Sequence, residues 1–275
     1  LTQNAQQFAQ NDVRFVYHPK PVVSSFSPTS GPTMGDTKVR ILGVNFEGGL
    51  NYTCRFNSTI VHATLDETHD EATLRCSSPP HAAGKLSLEI SVDNVLYTGC
   101  WLSFSVYHDL IGYNLKPEGG SVGRGTVVTV DGPSFAGGSD YRCKFGALAV
   151  RATPTSAGQL TCTSPDQPEG AGGRRSVEVT MNGQQYSRSE VPFVYHAPEA
   201  VASLSPASGA TAGETSVRAL GADAQPFKER LCRFGERDRT VAARWTSSGE
   251  YRCVSPSASA ANATTRRALD FGAPL

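Results

Sequence analysis

The chain has 275 residues, with 25 basic and 25 acidic side chains and a formal net charge of zero. That balance argues against nucleic acid as the main partner, because phosphate recognition needs a clear positive excess. Charged residues are 18%, aromatics 8%, and there are 27 Gly and 17 Pro, a composition that suits many short strands joined by turns. No apolar run reaches the roughly 18–20 residues of a membrane span. Residue 1 is Leu and no charged-then-apolar leader is present, so the expectation is a piece of a longer, processed protein.

The opening stretch, NAQQFAQNDVRFVYH at 4–18, returns as NGQQYSRSEVPFVYH at 182–196. Leu1 aligns with Val179 and His18 with His196. Residues 1–17 therefore read as the closing strands of an upstream repeat.

From residue 18 a longer period takes over. Pro28, Pro117 and Pro206 fall in register, followed three residues on by Gly31, Gly120 and Gly209. Thr37, Thr126 and Thr215 come next, then Val39, Val128 and Val217, then Gly43, Gly132 and Gly221. Phe46 and Phe135 follow, with Phe227 after a short insertion. YTCRF, YRCKF and RLCRF place Cys54, Cys143 and Cys232 at intervals of 89 residues, and LRCSSP, LTCTSP and YRCVSP close each unit. The boundaries drawn are 1–17, repeat 1 at 18–107, repeat 2 at 108–195, and repeat 3 at 196–275, the last without its closing strand.

TKVRILGVNF, TVVTVDGPSF and SLEISV alternate apolar and polar residues between turn clusters, as strands do. The first glycine of each repeat is expected at a positive-φ turn. The second, inside a strand, is expected at a bulge or tight bend. About seven strands in some 90 residues predict a two-sheet sandwich. The fold class is all-β: three tandem immunoglobulin-like sandwiches in a semi-rigid rod, because FVYH leaves almost no linker.

Six of the seven cysteines form the pairs Cys54–Cys76, Cys143–Cys162 and Cys232–Cys253, none with zinc-type spacing. One such bridge closes a loop of about 20 residues and is worth about 3 kcal/mol. Such pairs, with sequons at Asn51, Asn57 and Asn262, point to an oxidising, extracellular setting. Asn57 is the preferred acceptor, since Gly146 and Gly235 stand at its position in the sister repeats and mark a turn. Cys100, the odd cysteine, is either a buried small hydrophobe or the half of an intermolecular bond.

PVVSSFSPTSGPTMGDTKVRILGVNF resembles the opening of an IPT/TIG domain, an immunoglobulin-like fold. The CRF…CSSP pair resembles the cysteine-bearing IPT domains of plexin-type cell-surface proteins. Repeat 2 departs at LKPEGG (115–120), and repeat 3 carries Ala219 where a strand hydrophobe is expected. The resemblance implies a scaffold or binding module with no catalysis and no cofactor.

Other patterns have bland readings. GGSVG at 119–123 matches a nucleophile elbow, but Ser121 aligns with Pro32 and Ala210, so a turn is expected. His18, His108 and His196 recur at junctions, where a hydrogen bond is expected rather than a ligand set. DETHDE (66–71) and KERLCRFGERDR (228–239) read as solvated segments, with calcium and an anionic glycan as the respective alternatives.

The function expected is a non-enzymatic extracellular structural or adhesive array, a glycoprotein fragment making protein contacts. The composition is compatible with a ciliary surface or filament protein. A receptor ectodomain, and the spacer repeats of a secreted enzyme, are the alternatives. The mismatched ends read as a cut from a longer array without respect for domain borders; the alternative is homotypic head-to-tail contact, in which residues 5–17 close repeat 3 of a neighbour at its open sheet edge.

Overall fold

The structure is a computed structural model, and it describes residues 6, 17–66, 72–99, 102–167, 172–198, 200–222, 230–235, 239–247 and 249–258. No helix occurs among them. The expectations for residues 5–16, most of DETHDE, Cys100, Phe227, Asn262 and the segment 266–275 lie outside the described residues. The chain divides into two compact units, Leu1–His108 and Asp109–Leu275.

The first unit holds β1 (Val22–Ser27), β2 (Ser30–Pro32), β3 (Lys38–Val44), β4 (Thr53–Phe56), β5 (Thr59–Asp66), β6 (Thr73–Ser77), β7 (Gly84–Ser91) and β8 (Leu102–Tyr107). One layer runs β1-β3-β6-β5 and the other β5-β4-β7-β8-β2. β5 belongs to both. Its first half pairs with β4, from Thr59 opposite Phe56 to His62 opposite Thr53. Its second half pairs with β6, from Ala63 opposite Cys76 to Asp66 opposite Thr73. Every strand is antiparallel to its neighbours except β2, which lies parallel to β8. Between the layers sit Val39, Ile41, Phe46, Phe56, Leu74, Leu86, Leu88, Ile90 and Phe104, all essentially inaccessible to solvent.

The second unit repeats this plan with β9 (Asn114–Lys116), β10 (Gly119–Ser121), β11 (Val127–Asp131), β12 (Arg142–Phe145), β13 (Leu148–Ser156), β14 (Gln159–Thr163), β15 (Gly173–Thr180) and β16 (Val191–His196). β13 switches layers as β5 does. β10 runs parallel to β16 as β2 does to β8. Phe56 and Phe104 meet edge to face at 5.4 Å, and Phe145 and Phe193 meet the same way at 5.2 Å. The LKPEGG departure shortens the first strand, so that β9 covers β11 over only three residue pairs.

β17 (Ala200–Ser205), β18 (Ser216–Ala222), β19 (Leu231–Arg233), β20 (Thr240–Ala242), β21 (Arg244–Ser247) and β22 (Glu250–Val254) follow in the same unit. Their order, β17-β18-β22-β21 beside β19-β20, reproduces the first strands of the earlier plan. β20 and β21, parted at Ala243, stand where β5 and β13 switch layers. Ala219 is buried where Ile41 and Val130 stand in the sisters.

The repeated prolines all follow cis peptide bonds: Ser27–Pro28, Lys116–Pro117 and Ser205–Pro206. The repeated glycines separate into two kinds. The second kind behaves as expected in repeats 1 and 3, while the β9–β11 and β11–β14 pairings carry no register shift beside Gly132. β1 carries a bulge between Val23 and Ser25, opposite Gly43 and Leu42. β17 carries the same bulge between Val201 and Ser203, opposite Gly221 and Leu220. A Cβ on Gly43 or Gly221 would strike the carbonyl oxygen of Val22 or Ala200.

The first kind corrects the expectation of positive φ. Gly31, Gly120 and Gly209 all have ordinary backbone conformations. Their constraint is space. A Cβ on any of them would overlap the hydroxyl oxygen of the threonine six residues on, Thr37, Thr126 or Thr215. Positive φ occurs nearby instead, at Gly35, Gly123 and Gly213.

Candidate functional site

The conserved spacing of cysteine and serine within the chain has a geometric counterpart. Cys54 on β4 is bonded to Cys76 on β6, and Cys143 on β12 to Cys162 on β14, so each bridge ties one layer to the other. Cys232 on β19 and Cys253 on β22 are joined in the corresponding place. The Cα separations are 6.5, 6.4 and 6.3 Å, inside the range a disulfide spans. Two residues after the second cysteine, the serine of each CxSP run accepts a backbone N–H. Thr37 N donates to Ser78 Oγ at 3.1 Å, Thr126 N to Ser164 Oγ at 3.0 Å, and Thr215 N to Ser255 Oγ at 3.1 Å. These are scaffold features, and they hold the loops at each end of the strands in place.

Asn57 occupies the turn between β4 and β5. Its φ is 51°, beside 60° for Gly146 and 76° for Gly235, so the aligned glycines did mark a left-handed turn. Asn tolerates that region better than other residues with a Cβ. Its N–H donates to Ser87 O at 2.9 Å, and its Oδ1 accepts from Ser87 N at 2.8 Å and Ser87 Oγ at 3.1 Å. The carboxamide is thereby oriented on the surface, and the sequon hydroxyl of Thr59 is exposed. Asn51 differs. Its side chain is exposed, but its sequon residue Thr53 is buried at 5%. Thr53 Oγ1 lies 3.3 Å from Asn94 Oδ1 and 3.3 Å from Tyr97 OH.

Two buried carboxylates were not anticipated. Glu89 on β7 and Glu178 on β15 stand 89 positions apart and are 7% and 6% exposed. Arg55 contacts Glu89 at 2.5 Å and stacks 3.9 Å over the Tyr97 ring. Lys144, in the position of Arg55, lies 4.6 Å over Tyr186, in the position of Tyr97. Glu89 also accepts from Gly99 N at 3.1 Å. Glu178 accepts from Glu190 N at 2.7 Å, from Ser189 N at 3.1 Å, from the Ser187 hydroxyl and from Tyr113 OH. Burial pushes the Tyr113 hydroxyl up to about 12. Each carboxylate thus anchors the loop that leads into the last strand of its sandwich.

Ser121 of the GGSVG run corrects the expectation of a turn: it lies buried in β10, its hydroxyl donates to Val122 O at 3.2 Å, and the turn follows at Val122 and Gly123. His18 Nδ1 and His196 Nδ1 lie 3.2 and 2.9 Å from the carbonyl of the next residue. Among the described residues no group of three His, Cys, Asp or Glu side chains could hold a metal ion. The described part of KERLCRFGERDR includes Arg230, 5.8 Å from the Trp245 ring and 6.0 Å from that of Tyr251.

The sequence profile of the IPT/TIG domain matches residues 21–104 and again residues 112–195. The chain belongs to the IPT/TIG domain family. The two matches correspond to β1–β8 and β9–β16. Fibrocystin-L of Mus musculus is 26% identical over 211 residues, covering 77% of this chain and 5% of that protein. Human (Homo sapiens) fibrocystin-L is 26% identical over 207 residues, covering 73% and 5%. The chain therefore spans about a twentieth of the length of these relatives. Among solved structures, the full extracellular region of plexin A4 matches with a TM-score of 0.50 and 18% identity, over 95% of this chain and 23% of that one. At that identity the likeness concerns the fold.

Proposed function

We propose that this chain is a non-enzymatic, extracellular array of IPT/TIG sandwiches that presents its surfaces to other proteins. The observation that carries this reading is the pair of adjoining IPT/TIG domains, each with its layers joined by a disulfide. Disulfides of this kind persist in oxidising compartments. The relatedness to fibrocystin-L and the fold likeness to an extracellular region of plexin A4 support the same location. Residues 196–275 form a third repeat in this proposal, supported by the shared strand order, the cis proline, the Ser255 contact and the Cys232–Cys253 bridge. The short connections in the sequence support a spacer with limited interdomain freedom.

Asn57 is the principal N-glycan acceptor in this reading, because all three residues of its sequon, Asn57, Ser58 and Thr59, are exposed. Asn51 accepts a glycan only before repeat 1 closes, because folding buries the Thr53 hydroxyl that its sequon requires. Expression of the chain through a eukaryotic secretory pathway tests the proposal. Secretion as a disulfide-bonded glycoprotein supports it, and retention as a reduced, unmodified cytosolic protein overturns it.

A further inference from the structure

Repeat 3 carries a row of arginines that its sisters do not. On the outer face of its β17-β18-β22-β21 layer, Arg218 stands opposite Arg252, and Arg252 opposite Arg244. Ser205, opposite Arg218, extends the row to the edge strand. All three arginines are exposed. The same row in repeat 2 is Thr129, Thr161 and Thr153, and in repeat 1 it is Arg40, Arg75 and Thr64. Like charges directly opposite one another on a sheet are destabilising. Repeat 2 shows that threonine serves the fold at all three positions, so packing does not require the arginines.

The acid in the adjoining row offsets only part of this charge. Glu250 accepts from Arg252 Nε at 3.1 Å. Its carboxyl is held below the usual carboxylate range chiefly by that hydrogen bond, with a minor pull from the Arg218 charge. In repeat 1 the charges on this face are better matched, since Arg75 pairs with Asp66 and Lys38 with Asp36, both at 2.6 Å. Arg233 of β19 is not part of the arginine row, because β19 pairs with β20 apart from this layer. In repeats 1 and 2 the strands that follow, β7–β8 and β15–β16, join the opposite layer. They leave this face open, with Arg40, Arg75 and Thr153 exposed.

We infer that Arg218, Arg252 and Arg244 form a binding row for a sulfated polysaccharide. Neighbouring strands lie about 4.8 Å apart, so the row presents three cations over about 10 Å. A linear ligand with closely spaced anionic groups meets all three at once. Each planar guanidinium offers paired N–H donors that match two oxygens of one oxyanion. The choice of polysaccharide over nucleic acid rests on the extracellular placement proposed above.

Heparin binding by the full secreted chain, measured by calorimetry near physiological salt, tests this. The triple variant R218T/R244T/R252T copies the row of repeat 2. It should bind heparin about tenfold more weakly, at about twofold per exposed ion pair. R124T/R174T/R188T removes the same charge from exposed positions of repeat 2 and should bind as the parent does. Arginine modification by phenylglyoxal, mapped by mass spectrometry on the unaltered chain, provides the second measurement. Heparin should protect Arg218, Arg244 and Arg252 and leave Arg124 and Arg174 reactive. Four results overturn the inference: no heparin binding, equal weakening in both variants, tighter binding of a single-stranded polynucleotide than of heparin, or no protection at the three arginines. Any of them, in a chain secreted with its disulfides formed, leaves the extracellular reading standing.

Discussion

Replacing Gly31 with alanine tests why the first repeated glycine is there. The added Cβ would overlap Thr37 Oγ1 and stand 3.0 Å from Phe104 Cζ and 3.1 Å from Thr37 Cβ. Comfortable carbon contacts begin near 3.5 Å. β2 cannot retreat easily, because Ser105 N donates to Thr29 O and Thr33 N to Tyr107 O, both at 2.9 Å. Overpacking of this kind costs about 1–3 kcal/mol. Alanine recovers about 0.4–1 kcal/mol by restricting the unfolded chain, which leaves a net loss of about 1–2 kcal/mol. Urea unfolding followed by peptide-resolved hydrogen exchange is the suitable assay, since a multidomain chain does not unfold in one step. The steric account also predicts coupling. In a Thr37→Ala background the substitution should cost at least about 1 kcal/mol less, a coupling typical of residues in contact. Equal cost in both backgrounds would refute the steric explanation, as would a neutral Gly31→Ala.

Four other outcomes follow from the same geometry. Asp93 is held down to about 2 by the N–H groups of Leu96 and Val95, with His18 adding a smaller pull. Its contribution is therefore present above the unfolded pKa near 4 and lost as pH falls through about 2. Discounted for its exposure, it is worth about 1 kcal/mol, so Asp93→Ala should lose that much at pH 7 and only a small part of it at pH 2 in thermal melts. Glu178→Ala leaves several buried donors without an acceptor and should cost about 2–4 kcal/mol, read by exchange in the peptide covering Ser187 to Glu190. Cys143→Ser with Cys162→Ser should destabilise repeat 2 by about 2–4 kcal/mol in the same assay. Cys54→Ser with Cys76→Ser should raise glycan occupancy at Asn51 without lowering it at Asn57, because slower closure leaves Thr53 accessible for longer. Site-resolved glycopeptide mapping reads that difference.

The repeat period and the all-β class were open to reading because cysteines, glycines and prolines recur at fixed intervals, and each of these residue types punctuates a chain strongly. The turn at Asn57 was legible for the same reason, through the aligned Gly146 and Gly235. The role of Gly31 was not. A glycine required by a left-handed backbone and one required by a close neighbour look alike in sequence, and only the Thr37 contact separates them. The layer switch in β5 was also hidden, since alternation of apolar residues says nothing about which partner each half of a strand takes. Glu89 and Glu178 were missed because a single carboxylate at an outward position of a strand reads as solvated. Arg55 over Tyr97 covers the first, and the Ser187–Glu190 loop covers the second. The recurrence of Glu at the same register in LSLEISV and RSVEVTM was the available signal.

A non-reducing peptide map of the chain secreted from eukaryotic cells tests the extracellular IPT/TIG account most directly. It should show Cys54 linked to Cys76, Cys143 to Cys162 and Cys232 to Cys253, with a glycan on Asn57. Free thiols at these six positions together with an unmodified Asn57 would contradict it.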